Sequence, residues 1–306
     1  MYHEVLADRA DVESWTVVRE SEFRRQMEYL SHNFKVTSLN KALEIMRSTS
    51  DSGDPLAVVT FDDGYSGNRR VMLPIIETLR IPVTVYVATE AIMTQGLYWY
   101  DHVIVALQPK RGRSITVDLS QFNLGSYHFA DRLEGETRWK EIQRVLSDLK
   151  QMSPDVRAKA VEHILIEVKT PQGTIGQWLR PLTMGELRDM AESPLVTIGA
   201  HSHQHEILVH LDRESIREDI ATSKRLLEMW TGRPVEHLAY PNGDFNDDVV
   251  AVAPKEGFSC GMTVTGRPWK SSDSVFAIPR IGIGRYDSFD LFKAKVSGFF
   301  FQSSAK

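Results

Sequence analysis

Short apolar runs rich in β-branched residues alternate with amphipathic segments along most of this chain. The runs at 56–61, 81–89, 195–200 and 237–240 have the length and composition of strands buried on both faces. Segments with apolar residues at helical spacing lie between them, as at 71–79. Alternating strands and helices form β-α-β units with parallel strands, so the pattern predicts an α/β fold on a parallel sheet. Further strands are predicted at 2–5, 34–36, 258–264 and 275–283.

Capping residues predict where several helices begin and end. Ser21 and Ser38 are predicted to cap the first two helices of the chain. Asp212 is predicted to cap a long helix that closes at Gly232. Ser153 precedes a proline, which is a common first residue of a helix, so another helix is expected to start there.

The alternation of strands and helices is interrupted between about residues 97 and 182. This segment contains an amphipathic stretch at 139–152 and the helix that follows Ser153. We interpret it as a mostly helical insertion on the core fold. One domain, 1–306, with an insertion at about 97–182, then accounts for the whole chain.

The chain has 306 residues, of which 42% are hydrophobic and 25% charged, an ordinary balance for a globular protein. Its formal charge of −5 gives no overall basic field, which argues against nucleic acid as a partner. No apolar stretch approaches the roughly 20 residues of a membrane span. Cys260 is the single cysteine, so no intramolecular disulfide can form. Residues 1–4 do not begin a secretory signal, so we expect a cytoplasmic protein, or an extracytoplasmic one if the sequence starts after a removed export signal.

Two adjacent carboxylates, Asp62 and Asp63, end the apolar run at 56–61 and are followed by glycine. Catalytic groups of α/β folds lie at the carboxyl ends of strands, so this position suits a reaction centre. Neighbouring residues that leave a strand point in different directions, which would let one carboxylate bind a metal while the other faces substrate. An Asp-Asp-Gly turn without a catalytic role has the same local pattern, and a partner motif is needed to decide.

A second polar motif follows the run at 195–200, where His201 and His205 are four residues apart. On one helical turn this spacing places two imidazoles on the same side, where they can bind one divalent cation. Two imidazoles and one carboxylate form a ligand set suited to zinc, with cobalt, nickel or manganese as alternatives. A polar surface loop in which histidines cluster by chance is the competing interpretation, and it is the one that suits His203.

Together the two motifs resemble those of the polysaccharide deacetylases, the NodB-homology group that forms carbohydrate esterase family four. The resemblance rests on Thr60-Phe61-Asp62-Asp63-Gly64-Tyr65 and His201-Ser202-His203-Gln204-His205. Weaker similarity runs from Tyr2-His3 to Pro279-Arg280-Ile281 and covers most of the chain outside the insertion. The resemblance implies a distorted (β/α) barrel with seven parallel strands and the removal of acetyl groups from N-acetylated sugars.

The family's roles carry over to the matching positions of this sequence. Asp63, His201 and His205 would bind the metal, and Asp62 would be the base that takes a proton from a metal-activated water. The family holds the tetrahedral oxyanion with the metal and a backbone N–H that follows the proline of its third motif. In this chain the resemblance assigns that N–H to Asn242.

Several aromatic residues are candidates to contact a sugar substrate. Tyr65 and Tyr240 belong to the first and third motifs, and we include both as substrate or oxyanion contacts. Aromatic faces pack well on the apolar side of pyranose rings. Trp99, Tyr100 and Trp178, from the insertion, could serve in the same way, although packing in the core or in a loop is the alternative for each.

Two departures from the family pattern affect the remaining catalytic groups. The third motif commonly has arginine two residues before its proline, where this chain has Ala239. Arg280, at the end of a late strand, is the candidate to orient the base instead, and an ordinary strand-end charge is the alternative. The last motif normally supplies a histidine acid, but no histidine follows His237. His3 resembles the acid of members with circularly permuted motifs, so it is our candidate to protonate the leaving amine.

These observations predict a metal-dependent N-deacetylase that acts on an acetylated amino sugar in a polysaccharide or a smaller glycoconjugate. The same fold and metal site could instead cleave an O-acetyl ester or a cyclic amide. A carbohydrate-binding pseudoenzyme is a third hypothesis, favoured by the altered third and last motifs and opposed by the intact ligand and base positions. The insertion could cover the cleft or form an oligomer contact, and the oligomeric state stays open.

Overall fold

A computed structural model describes residues 1–10, 12, 14–48, 55–108, 113–131, 135–169 and 178–299 of the chain. The strands in these ranges are short, each of two to five residues, and most of them lie in the apolar runs of the sequence. They are β1 (Glu4–Leu6), β2 (Val17–Arg19), β3 (Lys35–Val36), β4 (Leu56–Ala57), β5 (Val59–Phe61), β6 (Val83–Val87), β7 (Ile115–Asp118), β8 (Ser126–Phe129), β9 (Val196–Ala200), β10 (His237–Ala239) and β11 (Cys260–Met262).

The helices are longer than the strands, and several of them connect successive strands of the sheet. They are α1 (Glu20–Asn33), α2 (Leu39–Arg47), α3 (Leu73–Leu79), α4 (Thr89–Thr94), α5 (Trp99–Ala106), α6 (Gly135–Lys150), α7 (Pro154–Val168), α8 (Met184–Glu192), α9 (Arg213–Thr231), α10 (Asp247–Val252) and α11 (Phe289–Val296). Within the described ranges, none of them combines the length and the apolar character that a membrane crossing requires.

Most of the predicted helix ends are confirmed. The side chain of Asp212 accepts a hydrogen bond from Ser215 N and begins α9, which closes at Gly232 with a φ of 66°. Ser38 caps α2 in the same way, by accepting from Lys41 N. Helix α7 begins at the proline that follows Ser153, as predicted.

The prediction that Ser21 caps the first helix is wrong. Helix α1 begins at Glu20, with Arg19 in the capping position and without a side-chain cap. The amide and hydroxyl of Ser21 both donate to Asp8 Oδ1, at 3.1 and 3.0 Å. A carboxylate thirteen residues earlier therefore accepts hydrogen bonds from the first turn of α1. The residues around Ser21 do not indicate this contact.

A curled sheet of five parallel strands, in the order β11-β10-β9-β6-β5, forms the centre of the molecule. At the β5 edge the pairing continues into the beginning of the chain. Tyr2 N donates to Thr60 O at 2.8 Å, and Asp62 N donates to Tyr2 O at 2.9 Å. The segment that contains Tyr2 then runs into β1, which pairs in parallel with β2.

At the β11 edge a segment without a regular strand continues the curl. Thr263 N donates to Ile278 O at 2.9 Å, and Ile283 N donates to Met1 O at 3.0 Å. Hydrogen bonds thus run from one edge of the sheet to the other, which gives the predicted distorted barrel. The prediction of a strand at 275–283 is wrong, because this segment makes only an isolated bridge, at Ile278. The number of seven strands stays a prediction.

The apolar core lies between the sheet and the helices outside it. All five residues of β6 are buried, as expected for a strand covered on both faces. Phe23, Met27 and Leu30 of α1 turn their side chains to the same core at helical spacing. Close packing on both faces makes the strands a rigid support for the residues that follow them.

The segment at about 97–182 contains an antiparallel hairpin as well as helices. Strands β7 and β8 pair from Ile115 opposite Phe129 to Asp118 opposite Ser126, and α5, α6 and α7 pack near them. The sequence predicted the helices but not this hairpin. The apolar residues of the segment join a second core that also includes Leu6, Val17, Tyr65 and Ala88 of the barrel. The boundaries of the insertion stay a prediction.

Candidate active site

The first motif leaves β5 through two residues in left-handed backbone conformations. Asp63 and Gly64 both have a φ of 72°, which is uncommon for a residue with a side chain. Both carboxylates are buried, with Asp62 2% and Asp63 3% exposed. They meet different partners, since Asp62 contacts Arg280 and Asp63 contacts two histidines. The change of backbone direction therefore separates the two side chains.

The second motif follows β9, but it does not form the helical turn that the sequence predicted. Residues 201–205 lie in a bend in which Ser202 and His205 have φ values of 65° and 58°. His205 N donates to Ser202 Oγ at 2.9 Å, which closes the bend. The ring centroids of His201 and His205 are 4.8 Å apart. The histidines thus converge because the backbone turns sharply between them.

Asp63, His201 and His205 form a cluster that could hold a metal ion. One ligand atom from each lies within 4.8 Å of the others, and Asp63 Oδ1 is 3.3 Å from His201 Nε2 and 3.2 Å from His205 Nε2. His201 Nδ1 donates to Ala239 O at 2.8 Å, so in the neutral ring the lone pair of Nε2 faces the carboxylate. A bond of this kind commonly orients a metal-binding histidine.

The cluster needs a cation between its acceptors. Two groups with lone pairs facing each other at 3.2 to 3.3 Å repel unless a proton or a metal ion lies between them. The buried Nε2 of His205 has no hydrogen-bond partner in the part of the chain that the structure describes. An unsatisfied buried nitrogen of this kind is costly in a protein interior. The donor set therefore fits a divalent metal of the zinc type.

The pKa shifts within the cluster show that its surroundings favour positive charge between the carboxylate and the imidazoles. Burial raises the pKa of Asp63, but the adjacent imidazoles of His201 and His205 outweigh it and hold that pKa well below its usual value. Burial lowers the pKa of His201, but the carboxylates of Asp62 and Asp63 outweigh it and raise that pKa. The site thus favours an ionised carboxylate and positive charge on the imidazole side, where a bound cation would replace the proton.

Asp62 is held by Arg280 in a bidentate pair. Arg280 Nη1 donates to Asp62 Oδ1 at 2.6 Å and Nη2 donates to Oδ2 at 2.7 Å, while Nε donates to Thr263 O at 3.1 Å. Burial raises the pKa of Asp62, but the Arg280 guanidinium and His201 outweigh it, so that pKa lies below its usual value. Asp62 is therefore an ionised carboxylate in a fixed orientation, and Arg280 has the contact that the sequence prediction required of it.

His3 lies at the same edge of the barrel, although it is distant from both motifs in sequence. Burial lowers the pKa of its imidazole, while the charges of Asp63 and Asp62 raise it. Its Nδ1 is buried and has no hydrogen-bond partner among the described residues. The ring of Trp15 packs edge-on against it, with centroids 5.8 Å apart. The imidazole of His3 is thus close enough for the charges of both carboxylates to act on its pKa.

The structure places the side chains of Tyr65 and Tyr240, two predicted substrate or oxyanion contacts, in the interior. Both side chains are fully buried. The hydroxyl of Tyr65 donates to Asp101 Oδ2 at 2.8 Å, and that of Tyr240 donates to Phe276 O at 2.8 Å. Packing and these hydrogen bonds hold both rings in the interior, and the predicted contacts with substrate or oxyanion stay a prediction.

Asn242 lies in an exposed turn that the insertion contacts. Its φ is 59°, and its Nδ2 donates to Asp244 Oδ2 at 2.6 Å. Lys150, the last residue of α6, donates from Nζ to Asn242 Oδ1. Burial lowers the pKa of Lys150, while the charges of Asp244 and Asp63 raise it. The insertion therefore places a cation beside the turn for which sequence reasoning predicted the oxyanion contact.

Sequence reasoning missed Asp219, which organises the histidine motif from α9. Its carboxylate accepts from His203 N at 2.7 Å and from Gln204 N at 3.0 Å. The signal was present in the sequence, because Asp219 lies on the buried side of α9 together with Ile216 and Ile220. An acidic residue on an apolar helix face needs a polar partner.

A curled parallel sheet with a carboxylate pair and a histidine pair at its carboxyl edge defines an α/β barrel with a candidate metal centre. A family model described as "Polysaccharide deacetylase" matches residues 49–261, more than half of the chain. The chain therefore belongs to the polysaccharide deacetylase family, the NodB-homology group whose members are hydrolases of acetylated carbohydrate.

Relatives in sequence and in structure agree with the family. The chain is 24% identical over 102 residues to the Bacillus subtilis (strain 168) protein named "Putative polysaccharide deacetylase YxkH", a match that covers 33% of this chain and 36% of that protein. The chain thus matches about a third of the length of this curated relative.

Solved structures of low identity share the fold over nearly the whole chain. The Streptococcus pyogenes deacetylase PplD, solved with acetate, has a TM-score of 0.62 at 14% identity, covering 97% of this chain and 96% of that one. A de-N-acetylase from Aggregatibacter actinomycetemcomitans has a TM-score of 0.59 at 15% identity, covering 96% and 97%. At such identities the likeness establishes the fold alone.

Proposed function

We propose that this protein is a metal-dependent N-deacetylase that removes acetyl groups from an amino sugar in a polysaccharide or glycoconjugate. The observation that carries the proposal is the geometry at the carboxyl edge of the barrel. A buried carboxylate and two imidazoles converge within metal-ligand distance, beside a second carboxylate that is held ionised by an arginine. Family membership supports the same reaction class.

Asp63, His201 and His205 would hold the metal, and zinc suits one carboxylate and two imidazoles, with cobalt, nickel and manganese as alternatives. Three protein ligands leave coordination positions open. When bound, a divalent cation would lower the pKa of a water molecule and polarise the acetyl carbonyl. The burial of Asp63 and His201 excludes bulk water from most of the ligand set, which strengthens these electrostatic effects.

Asp62 would act as the base. It lies next to Asp63 in the chain, and Arg280 holds both of its oxygens. The pair keeps the carboxylate ionised, so that it can accept a proton from the attacking water. The same contact fixes the plane of the Asp62 carboxylate, so that the base keeps its orientation during the reaction.

Two further groups would complete the reaction. His3 would give a proton to the leaving amine nitrogen, since its ring lies near both carboxylates and its Nδ1 is without a partner among the described residues. The amide of Asn242 would donate to the oxyanion of the tetrahedral transition state. The left-handed φ of Asn242 sets the direction of the backbone in the turn. Lys150 holds the side chain of Asn242 by a hydrogen bond.

Metal content and acetate release test the proposal together. Purified protein should contain about one divalent ion per chain by elemental analysis, and His201→Ala should lose it. His32→Ala, which changes an exposed histidine on α1, is the matched control and should keep the metal. Release of acetate from N-acetylated oligosaccharides would support the N-deacetylase, whereas release from O-acetyl esters or ring opening of cyclic amides alone would replace it with those activities.

The remaining outcome is a bound metal with no hydrolysis of any of these substrates. It would overturn the enzymatic proposal in favour of a carbohydrate-binding pseudoenzyme. A wild-type protein that binds no divalent metal after reconstitution would overturn the assignment of the metal centre itself.

A further inference from the structure

The segment just before α5 contributes a tyrosine that contacts two of the candidate metal ligands. Tyr98 is 7% exposed, and its hydroxyl donates to the backbone carbonyl of Asp63 at 2.6 Å. Tyr98 belongs to the predicted insertion rather than to either motif. A residue outside the motifs therefore determines how the carbonyl of one candidate ligand is oriented.

The ring of the same tyrosine packs against a second candidate ligand. The centroids of Tyr98 and His205 are 4.8 Å apart with the planes tilted by 53°. Tyr100 contacts both of these rings, with its centroid 5.1 Å from that of Tyr98 at an interplanar angle of 3° and 5.5 Å from that of His205. Tyr98 thus touches two of the three candidate ligands, one through its hydroxyl and one through its ring.

These two ligand residues need such support. Asp63 has a φ of 72° and His205 a φ of 58°, and left-handed conformations of non-glycine residues persist only where the surroundings hold them. His205 N has its own partner in Ser202 Oγ. The Asp63 carbonyl has the Tyr98 hydroxyl. Without that bond, the backbone of Asp63 would be freer to relax and to take its carboxylate away from the histidines.

We propose that Tyr98 is a positioning residue that pre-forms the metal centre, by holding the backbone of Asp63 and the ring of His205. The inference rests on the metal centre of the proposed function and goes beyond it, because it gives the start of the insertion a role in metal affinity. Ligands held in place before the metal arrives bind it more tightly, because less ordering is required on binding.

Tyr98→Phe tests the proposal, since it removes the hydroxyl and keeps the ring. The readout is the zinc dissociation constant, measured by competition with a chromophoric chelator, which does not depend on turnover. Losing one buried hydrogen bond should weaken zinc binding about five- to tenfold. Tyr127→Phe is the matched control, because Tyr127 has the same exposed fraction of 7% and its hydroxyl donates to Asp148 Oδ2 within the insertion.

The outcomes separate this inference from the proposed function. If the wild-type protein and Tyr98→Phe bind zinc equally tightly, the role of Tyr98 is overturned and the metal centre is not. Equal weakening in Tyr98→Phe and Tyr127→Phe also overturns it, because the effect would then be general destabilisation. A wild-type protein that binds no zinc overturns the metal centre and the inference with it. The rise in Tm on adding zinc, measured on the same samples, should be smaller in Tyr98→Phe than in the control.

Discussion

Arg280 and Asp62 are 218 positions apart in the chain, and two hydrogen bonds of 2.6 and 2.7 Å join their side chains into a bidentate pair. Both side chains are almost completely buried, at 6% and 3% exposure. A buried charge needs a partner of this kind, since an uncompensated carboxylate in the interior would take up a proton. The pair therefore decides the protonation state of the proposed base.

Arg280→Met should move the acid limb of the pH–rate profile upward. In the wild type the pKa of Asp62 lies below its usual value, so the base is ionised above it and is lost as the pH falls through it. Without Arg280, burial raises that pKa, and kcat/KM should begin to fall at a higher pH. Breaking the buried pair should also cost about 3–5 kcal/mol of stability. The profile and a denaturant titration measure the two effects.

A matched control for this change is Arg267→Met. Arg267 also forms a bidentate pair, with Asp273 at 2.8 and 2.7 Å, but its side chain is 38% exposed. The pH profile of this variant should be that of the wild type. An acid limb that stays in place in Arg280→Met would show that Arg280 does not control the base.

Asp62→Asn should abolish turnover while the metal stays bound. An amide cannot accept a proton from water as a carboxylate does, and general base catalysis contributes about 10²–10⁴-fold. Asp62 is not one of the three clustered ligands, so elemental analysis should still find the metal. Asp189→Asn, at the exposed pair with Arg69, is the control. Normal turnover in Asp62→Asn would remove Asp62 from the mechanism.

His3→Gln should slow amide hydrolysis far more than hydrolysis of an activated ester. An amine must be protonated to leave, whereas the phenolate of 4-nitrophenyl acetate leaves without a proton. The loss on an N-acetyl sugar should be about 10²–10⁴-fold, with little loss on the ester. Steady-state rates on both substrates, compared as a ratio, measure this. Equal losses on the two substrates would show that His3 supports the structure and does not act as the acid.

Lys150→Met should lower kcat about tenfold and leave metal affinity unchanged. The ammonium holds the side chain of Asn242, and the adjacent amide is proposed to act on the transition state rather than on the bound substrate. Lys140→Met is the control in the same helix, since Lys140 is exposed and pairs with Glu136 at 3.0 Å. A change in KM with kcat preserved would instead place Lys150 in substrate binding.

The sequence by itself determined the strand ends and the identity of the candidate ligands. The apolar runs before Asp62 and before His201 predicted β5 and β9, and parallel strands bring such ends to one edge of a sheet. Helix starts at Ser38, Ser153 and Asp212 were also predictable. All of these are local features, because a run of side chains and one capping residue contain the information.

Only the tertiary structure decided which side chains support the site. The bidentate contact of Arg280, the hydroxyl of Tyr98 on Asp63 and the carboxylate of Asp219 join segments distant in sequence, and no local period encodes such pairs. Asp219 accepts hydrogen bonds from His203 N and Gln204 N, within the left-handed bend that replaced the predicted helical turn at His201. Backbone strain and buried charge are stable only when packing brings their partners together, and packing is a property of the folded chain as a whole.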